Sequence, residues 1–530
     1  LPLSSDGTTP QRHQDAMECD LRSVPVCLCT ANFLVFGNAG SGKTTLIQLL
    51  LQSLLPRFRK GTDAAAGSQA PVQRAIIYDA KRDMISLLGG IFGRAHLPAE
   101  EYPEVVIANA FDARCQGWDV AKDISAPEDV RYLVAALLPR DEKAESPFWS
   151  VAAQDITRAV VLSLVLRKVA DWTLRDVIVI CRSPDLIHQV TKDCPEAWGI
   201  VESYLNDAKH FPGVLWTLSP KLGRYEVRAA IWHNLPVSRR FSVHEWYQRG
   251  GILLLGSHPK FADALGPLNA VMLKLAVDEL LAGPETRLPH TWFILDEFRW
   301  LGRAETVQRL LNQGRSKGGA VVLGIQDISG LISVYGEHEA NEILNQCAHK
   351  VFMRVGSATA EWMERHFGQF QTTLRLGSTS ESIDHEGHVS SSESWGEHLH
   401  VAPYYRASVF TSLPLGGPIT GCLSFIADSP WGGHTWTQVP WIEVQNRLPV
   451  PSGDESFVPH ESPDMVRLAP WCPEVEAVRM KLVSLAKADR KEPVKPQADA
   501  TGSNSAATQP PPDPAVEEVP YDELPDFTRD

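Results

Sequence analysis

The chain has 530 residues, 44% apolar and 22% charged, which excludes collagen-like, wholly disordered and disulfide-scaffold proteins and allows two or three folded units. Its 50 Lys and Arg against 64 Asp and Glu give a net charge of −14, which argues against a protein coated in basic surface and leaves room for a local basic channel. Nine scattered cysteines with no C-x-x-C pair read as reduced thiols.

Residues 1–30 form a polar, turn-rich extension before the first buried run, Phe33-Leu34-Val35-Phe36. Just ahead of it, Cys27 and Cys29 read as small apolar residues at a strand edge, because no second Cys/His pair stands at ligand spacing. Further short apolar runs follow at Ala75–Tyr78, Val105–Ile107, Ile252–Leu255, Trp292–Leu295, Ala320–Leu323 and Val351–Val355, alternating with helical patterns. That alternation predicts an α/β fold with a mostly parallel sheet covered by helices on both faces.

The rhythm breaks at 126–220, where no strand signal occurs and Trp149, Ala152, Ile156, Val160 and Leu164 keep helical spacing after a Ser146-Pro147 start signal. This predicts an all-α insertion between a first core part, 31–125, and a second, 221–440. Within the second part, 371–400 is rich in Ser, Thr, Glu and His and reads as a solvated loop or loose hairpin. A strand signal returns at Gly421–Ala427, an extension covers 441–484, and 485–530 reads as a disordered acidic tail, with seven acids against one Arg in the last 30 residues.

The sharpest motif is Gly37-Asn38-Ala39-Gly40-Ser41-Gly42-Lys43-Thr44, followed by Thr45 and a helical run. A strand, a G-x-x-x-x-G-K-T loop and a helix form a phosphate cradle. Glycines let backbone N–H groups close on the β-phosphate, Lys43 reaches the β/γ-phosphates and Thr44 ligates Mg²⁺. Trp292-Phe293-Ile294-Leu295-Asp296-Glu297 supplies the partner, a buried strand ending in two acids. Asp296 would hold the metal and Glu297 would orient or deprotonate the attacking water, chemistry that suits ATP hydrolysis.

The next buried strand ends at Gln326, an amide suited to sensing a γ-phosphate. Arg315, in Asn312-Gln313-Gly314-Arg315-Ser316-Lys317-Gly318, is either a finger reaching a neighbouring subunit's phosphate or a solvated helix-end residue. Asp79, ending the second strand, is either a crevice acid near the nucleotide or a structural turn acid. His385, His388, His398 and His400 lack Cys or carboxylate support for a metal. No H-E-x-x-H helix is present.

About 250 residues separate Lys43 from Asp296. That spacing, the strand ending at Asp79, the segment Asn109–Trp118, the Trp149-x-x-x-Ala153 helix and Gly314–Gly318 together resemble type IV secretion and conjugative coupling proteins over roughly 24–430. The resemblance implies a RecA-like P-loop ATPase using ATP and Mg²⁺, with an all-α insertion as the substrate-receiving surface. It also implies a homo-hexameric ring passing DNA, single-stranded and often relaxase-bound, into a secretion channel. By the same resemblance Arg315 is the trans-acting finger, and 372–400 with Leu413-Pro414 is the C-terminal part.

Family members usually carry N-terminal transmembrane helices. This chain starts at Leu1 and shows no run of about 18 apolar residues, so the expectation is a cytoplasmic protein, peripheral at the inner membrane, whose anchor is lost, supplied by a partner, or dispensed with. Two rival readings share the nucleotide residues: a nucleotide-switched receptor for protein cargo, and a chromosome or mobile-element translocase.

Overall fold

In a computed structural model, residues 16–19, 22–58, 71–95, 99–140, 147–258, 260–298, 305–383, 385–387, 389–430 and 433–482 are described. The acidic tail, Ser146 and His388 lie outside them. A nine-stranded sheet organises the molecule. Its strands are β1 (Phe33–Phe36), β2 (Arg74–Asp79), β3 (Val105–Ile107), β4 (Gly251–Gly256), β5 (Thr286–Leu295), β6 (Lys317–Ile325) and β7 (His349–Phe352). After an exposed hairpin, β8 (Gln369–Ile383) and β9 (Val389–Pro403), come β10 (Cys422–Ser429) and β11 (Gly433–Pro440).

The spatial order is β11-β10-β7-β1-β6-β5-β2-β4-β3. The seven strands from β7 to β3 are parallel, and β10 and β11 add an antiparallel edge. Strands buried on both faces read as unbroken apolar runs, which is why Phe33–Phe36 and Trp292–Leu295 announce themselves. Helix α1 (Lys43–Leu54) packs Leu50, Leu51 and Leu54 with Ile77, Ile294 and Val322 on one face, where Leu87 and Ile91 of α2 (Met84–Arg94) join them. Because β6 lies between β1 and β5, the phosphate loop, Gln326 and the acid pair emerge side by side at one edge of the sheet.

β7 ends at Phe352, short of the expected Val355. The chain leaves the ladder there: the Arg354 carbonyl accepts from the Asn38 N–H at 2.9 Å, and the Val355 N–H donates to the Phe410 carbonyl at 3.4 Å. Cys27 and Cys29 lie in a 3-10 turn, Val26–Ala31, rather than at a strand edge, and Cys29 is fully buried.

Among the described residues 127–234 carry no strand. The helices are Pro127–Leu137, Phe148–Leu166, Leu174–Cys181, Pro184–Thr191, Pro195–Leu205, Phe211–Gly223 and Glu226–Asn234, so the helical region continues past 220. Pro147 occupies the N-cap of Phe148–Leu166. That helix is long and apolar enough to cross a membrane, yet Ala152, Ile156, Val160 and Leu164 are fully buried against neighbouring helices.

From Leu448 the chain runs as a strap to a helix at Pro473–Arg479. The strap binds the core through Ser452 N–H to the Ser86 carbonyl (2.9 Å) and Ala113 N–H to the Val458 carbonyl (2.7 Å). It ends on the insertion in a buried ion cluster: Arg175 Nη1 contacts Asp176 at 2.8 Å and Glu476 at 2.6 Å, and Arg479 bridges the same two acids.

The stretch read as a loop or loose hairpin is a regular fifteen-pair antiparallel ladder between β8 and β9. Its composition hid it. Ser378–Ser394, Ser380–Ser392 and Ser382–Ser390 face one another across the strands with hydroxyls at 2.7, 2.8 and 2.7 Å, cross-strand pairs that support the ladder while its apolar side chains, Trp395 and Leu376 among them, stay exposed.

Candidate active site

The loop after β1 is tied to the strands on both sides. Gly37 N–H donates to the Ile325 carbonyl (3.0 Å), Asn38 N–H to the Arg354 carbonyl and Ser41 N–H to the Asn38 carbonyl (3.1 Å). The Asn38 amide fits between the Gln326 carbonyl and the Gly356 N–H, 3.1 Å from each. Ala39 and Gly40 form the exposed tip. Gly42 has φ +101°, and a Cβ there would sit 2.2 Å from Leu423 Cδ1, so backbone geometry and space both demand glycine. Helix α1 starts at Lys43, leaving the N–H groups of Lys43, Thr44 and Thr45 without intrahelical partners at the positive end of the helix dipole, an anion site by construction.

The acids close the other side. Leu295 pairs with Leu323 at the end of β5, and Asp296 and Glu297 turn towards the loop. Lys43 Nζ donates to Asp296 Oδ1 and, at 3.1 Å, to Glu297 Oε1. Thr44 Oγ1 lies 3.4 Å from Asp296 Oδ2, and Gln326 Nε2 donates to Glu297 Oε1 at 2.7 Å. Glu297 adopts the left-handed backbone, φ +58°, rare for a side chain other than Gly, Asn or Asp. Its Oε2 is buried without a hydrogen-bond partner, the arrangement of a base awaiting a water. The free helix N–H groups, the two lysine-bound acids and this orphaned oxygen fit a nucleoside triphosphate with Mg²⁺.

Asp79 serves the turn into α2. Its carboxylate accepts the N–H groups of Arg82 (2.7 Å), Asp83 and Met84 (both 3.3 Å), and burial, reinforced by Asp83, pushes its carboxyl up to about 6. It lines a small cleft with Thr44 and Asp296 but makes no hydrogen bond to either. Arg315 is exposed in the turn Gly314–Ser316 that precedes β6, at the edge of the sheet opposite the phosphate loop. With nine residues in β6 at about 3.3 Å rise each, its Cα stands roughly 30 Å from Gln326. The structure thus unites Lys43, Thr44, Asp296, Glu297 and Gln326 in one subunit and leaves Arg315 outside. His398 and His400 stand on β9 and His385 near the hairpin tip, and among the described residues no cluster of three metal ligands occurs.

Two residues were missed from sequence. Lys81 Nζ donates to Thr44 Oγ1 at 2.5 Å, a contact between positions 37 apart that no local pattern signals. Gly324, inside β6, faces Asp296: a Cβ there would lie 2.3 Å from Oδ1 and 3.1 Å from Cα. Glycine within a strand signals close backbone approach, and here it admits Asp296. Gly324→Ala is expected to displace Asp296 and weaken Mg²⁺-dependent nucleotide binding at least about tenfold, or ~1.4 kcal/mol, read by fluorescent-nucleotide titration. Unchanged affinity would remove that role from the glycine.

The sequence matches the model of the type IV secretion-system coupling protein DNA-binding domain over residues 21–402. It is 25% identical to coupling protein TraD of Escherichia coli K12 over 332 residues, 61% of this chain and 41% of that one. Protein VirD4 of Agrobacterium fabrum is 24% identical over 156 residues, 28% of this chain and 23% of that one. The chain therefore spans about two fifths or less of the length of these relatives. Among solved structures, the conjugative coupling protein TrwBdeltaN70 in its unbound monoclinic form superposes with a TM-score of 0.59 at 19% identity, covering 84% of this chain and 92% of that one. TrwB in complex with ADP and Mg²⁺ superposes at 0.57 with the same identity and coverage. The fold is the RecA-like P-loop fold, with a mostly parallel sheet.

Proposed function

Because the chain belongs to the type IV secretion-system coupling proteins, we propose that it is an ATP-hydrolysing motor that translocates DNA, free or relaxase-bound, into a secretion or conjugation channel. The observation that carries this reading is the network in which one lysine, Lys43, bridges a metal-site acid and a base whose second oxygen is free. Solved TrwB complexes with ADP and Mg²⁺ and with a non-hydrolysable ATP analogue support ATP and Mg²⁺ as the ligands here.

The free N–H groups of Lys43, Thr44 and Thr45 cradle the phosphates, and Lys43 exchanges its two carboxylates for β- and γ-phosphate oxygens. Thr44 and Asp296 hold Mg²⁺, which when bound neutralises charge on the leaving phosphates. Glu297, released by Lys43 but still held at Oε1 by Gln326, takes the proton of the attacking water on Oε2. Gln326 holds that base with its side-chain amide and accepts from Asn38 with its backbone carbonyl, so loss of the γ-phosphate reaches the loop through one residue.

A homo-hexameric ring completes the site in this reading, each Arg315 reaching the neighbouring subunit's phosphate. The helical insertion receives the substrate, and the motor works in the cytoplasm against the inner membrane. A net charge of −14 is compatible with this, since a ring needs basic residues only where it touches the strand. The test is Mg²⁺-dependent ATPase activity of the purified chain with and without single-stranded DNA. Turnover should rise on adding DNA and the stimulation should fade steeply with salt. Turnover indifferent to DNA favours the cargo-receptor reading, and no turnover in either condition overturns the motor.

A further inference from the structure

Lys81 occupies a place in the site that neither a phosphate loop nor an acid pair requires. It stands two residues beyond Asp79, the end of β2, the strand next to β5, and its ammonium donates to Thr44 Oγ1 at 2.5 Å. That oxygen is the one a phosphate-loop Thr turns to Mg²⁺. The same hydroxyl lies 3.4 Å from Asp296 Oδ2, so the two protein ligands of the metal are drawn together around a lysine. We infer that Lys81 is a tethered placeholder for the metal ion: its ammonium donates to the metal's hydroxyl ligand, and Mg²⁺ must displace it to bind.

Three features support this use of the side chain. Lys81 forms no ion pair with an acid among the described residues, so no competing carboxylate holds it elsewhere. Its backbone is fixed on both sides. The Asp79 carboxylate takes the next three N–H groups, Arg82 adopts φ +62°, and the Arg82 guanidinium lies 4.6 Å from the Phe457 ring of the strap. The side chain itself is exposed, with a four-carbon stem free to swing into solvent.

An anchored backbone with a mobile cation returns to the same oxygen each time the metal leaves. Lys43 pairs with the acids and Lys81 with the hydroxyl, so each protein ligand of the metal has a cation that Mg²⁺ must displace. The cost falls on metal entry. A higher Mg²⁺ concentration is needed than Thr44 and Asp296 alone would require, and product release is correspondingly eased.

The inference rests on the proposed nucleotide site, and its sign separates it from a phosphate-clamp role for the same lysine. The experiment titrates Mg²⁺ against binding of a fluorescent ADP analogue to the full chain, wild type and Lys81→Met, with EDTA controls and nucleotide-induced Tm shifts as a second readout. Losing a placeholder worth one hydrogen bond should lower the half-saturating Mg²⁺ about three- to tenfold and enlarge the Mg²⁺·ADP Tm shift, with metal-free affinity unchanged. Lys81→Arg, which keeps a cation, should stay near wild type.

An unchanged Mg²⁺ requirement, or weaker binding with and without Mg²⁺, overturns the placeholder and leaves the nucleotide site standing. Failure of the wild type to bind nucleotide at saturating Mg²⁺ removes the site and the placeholder together.

Discussion

Arg315→Ala should lower steady-state ATP hydrolysis by about 10³- to 10⁵-fold, the range lost with a transition-state arginine, while nucleotide affinity stays largely intact. The expectation follows from where the residue is and is not. It is solvent-exposed in the turn before β6, and the whole length of that strand separates it from Gln326 and Lys43 of its own chain. A side chain of about 7 Å cannot cross roughly 30 Å of sheet, so any catalytic contact must be made with another copy.

Mixing makes the distinction sharp. Arg315→Ala subunits keep a sound phosphate site and lack the finger, whereas Lys43→Ala subunits keep the finger and lack the site. If Arg315 acts between copies, the mixture should hydrolyse ATP well above either variant alone, because some interfaces join a sound site to a sound finger. Wild-type turnover by Arg315→Ala, or no recovery on mixing, would mean that the residue is the solvated helix-end arginine its exposure equally describes.

That ambiguity shows which parts of the site are legible in a sequence. The Gly37–Thr44 loop and the Asp296-Glu297 pair could be read because each is a contiguous string whose chemistry depends on local spacing, and each follows a run apolar enough to be a buried strand. Gln326 was readable for the same reason. Arg315 could be read from its flexible glycine neighbours only as either a finger or a solvated helix-end residue, and the resemblance alone favoured the finger, since a finger acts across a boundary that one chain does not contain.

Lys81 and Gly324 were silent because their partners, Thr44 on α1 and Asp296 after β5, lie on elements distant in sequence. Asp79 illustrates the opposite case: the strand end was legible, but whether its carboxylate faced ligand or turn depended on three backbone N–H groups that composition does not reveal.

The fold divides along similar lines. Apolar runs announced β1 to β7 and helical spacing announced the insertion, since burial on two faces and burial on one helical stripe leave distinct periods. The β8–β9 segment could be read only as a solvated loop or loose hairpin, because its exposed strands have no buried face for apolar periodicity to mark and its regular ladder left no signal. The strap from Leu448 was not read as a tie at all. It grips the core and the insertion through backbone carbonyls and N–H groups and through scattered side chains, among them Phe457 under Arg82, His460 on the Ala110 carbonyl and the Arg175, Asp176, Glu476 and Arg479 cluster, whose partners lie hundreds of positions away in sequence.

Glu297→Gln carries the second large effect, a fall in turnover of about 10²- to 10⁴-fold, the usual contribution of a positioned proton acceptor. Gln matches Glu in length, so Phe298 behind it and the left-handed backbone at φ +58° need not move. The amide oxygen can take the place of Oε1 and still accept from Lys43 and Gln326. The NH2 group then stands where Oε2 is now buried and unpartnered, and a donor there cannot accept a proton from water.

Binding and chemistry should therefore separate. The variant should retain ATP with Mg²⁺, accumulate as a nucleotide-loaded species and bind DNA, yet release almost no phosphate in a single-turnover experiment. A single-turnover rate near wild type would show that Glu297 only orients Lys43, and the base would have to be sought elsewhere. Parallel loss of binding and turnover would mean that the variant had disturbed the Lys43 network instead, an outcome that the conservative amide geometry argues against.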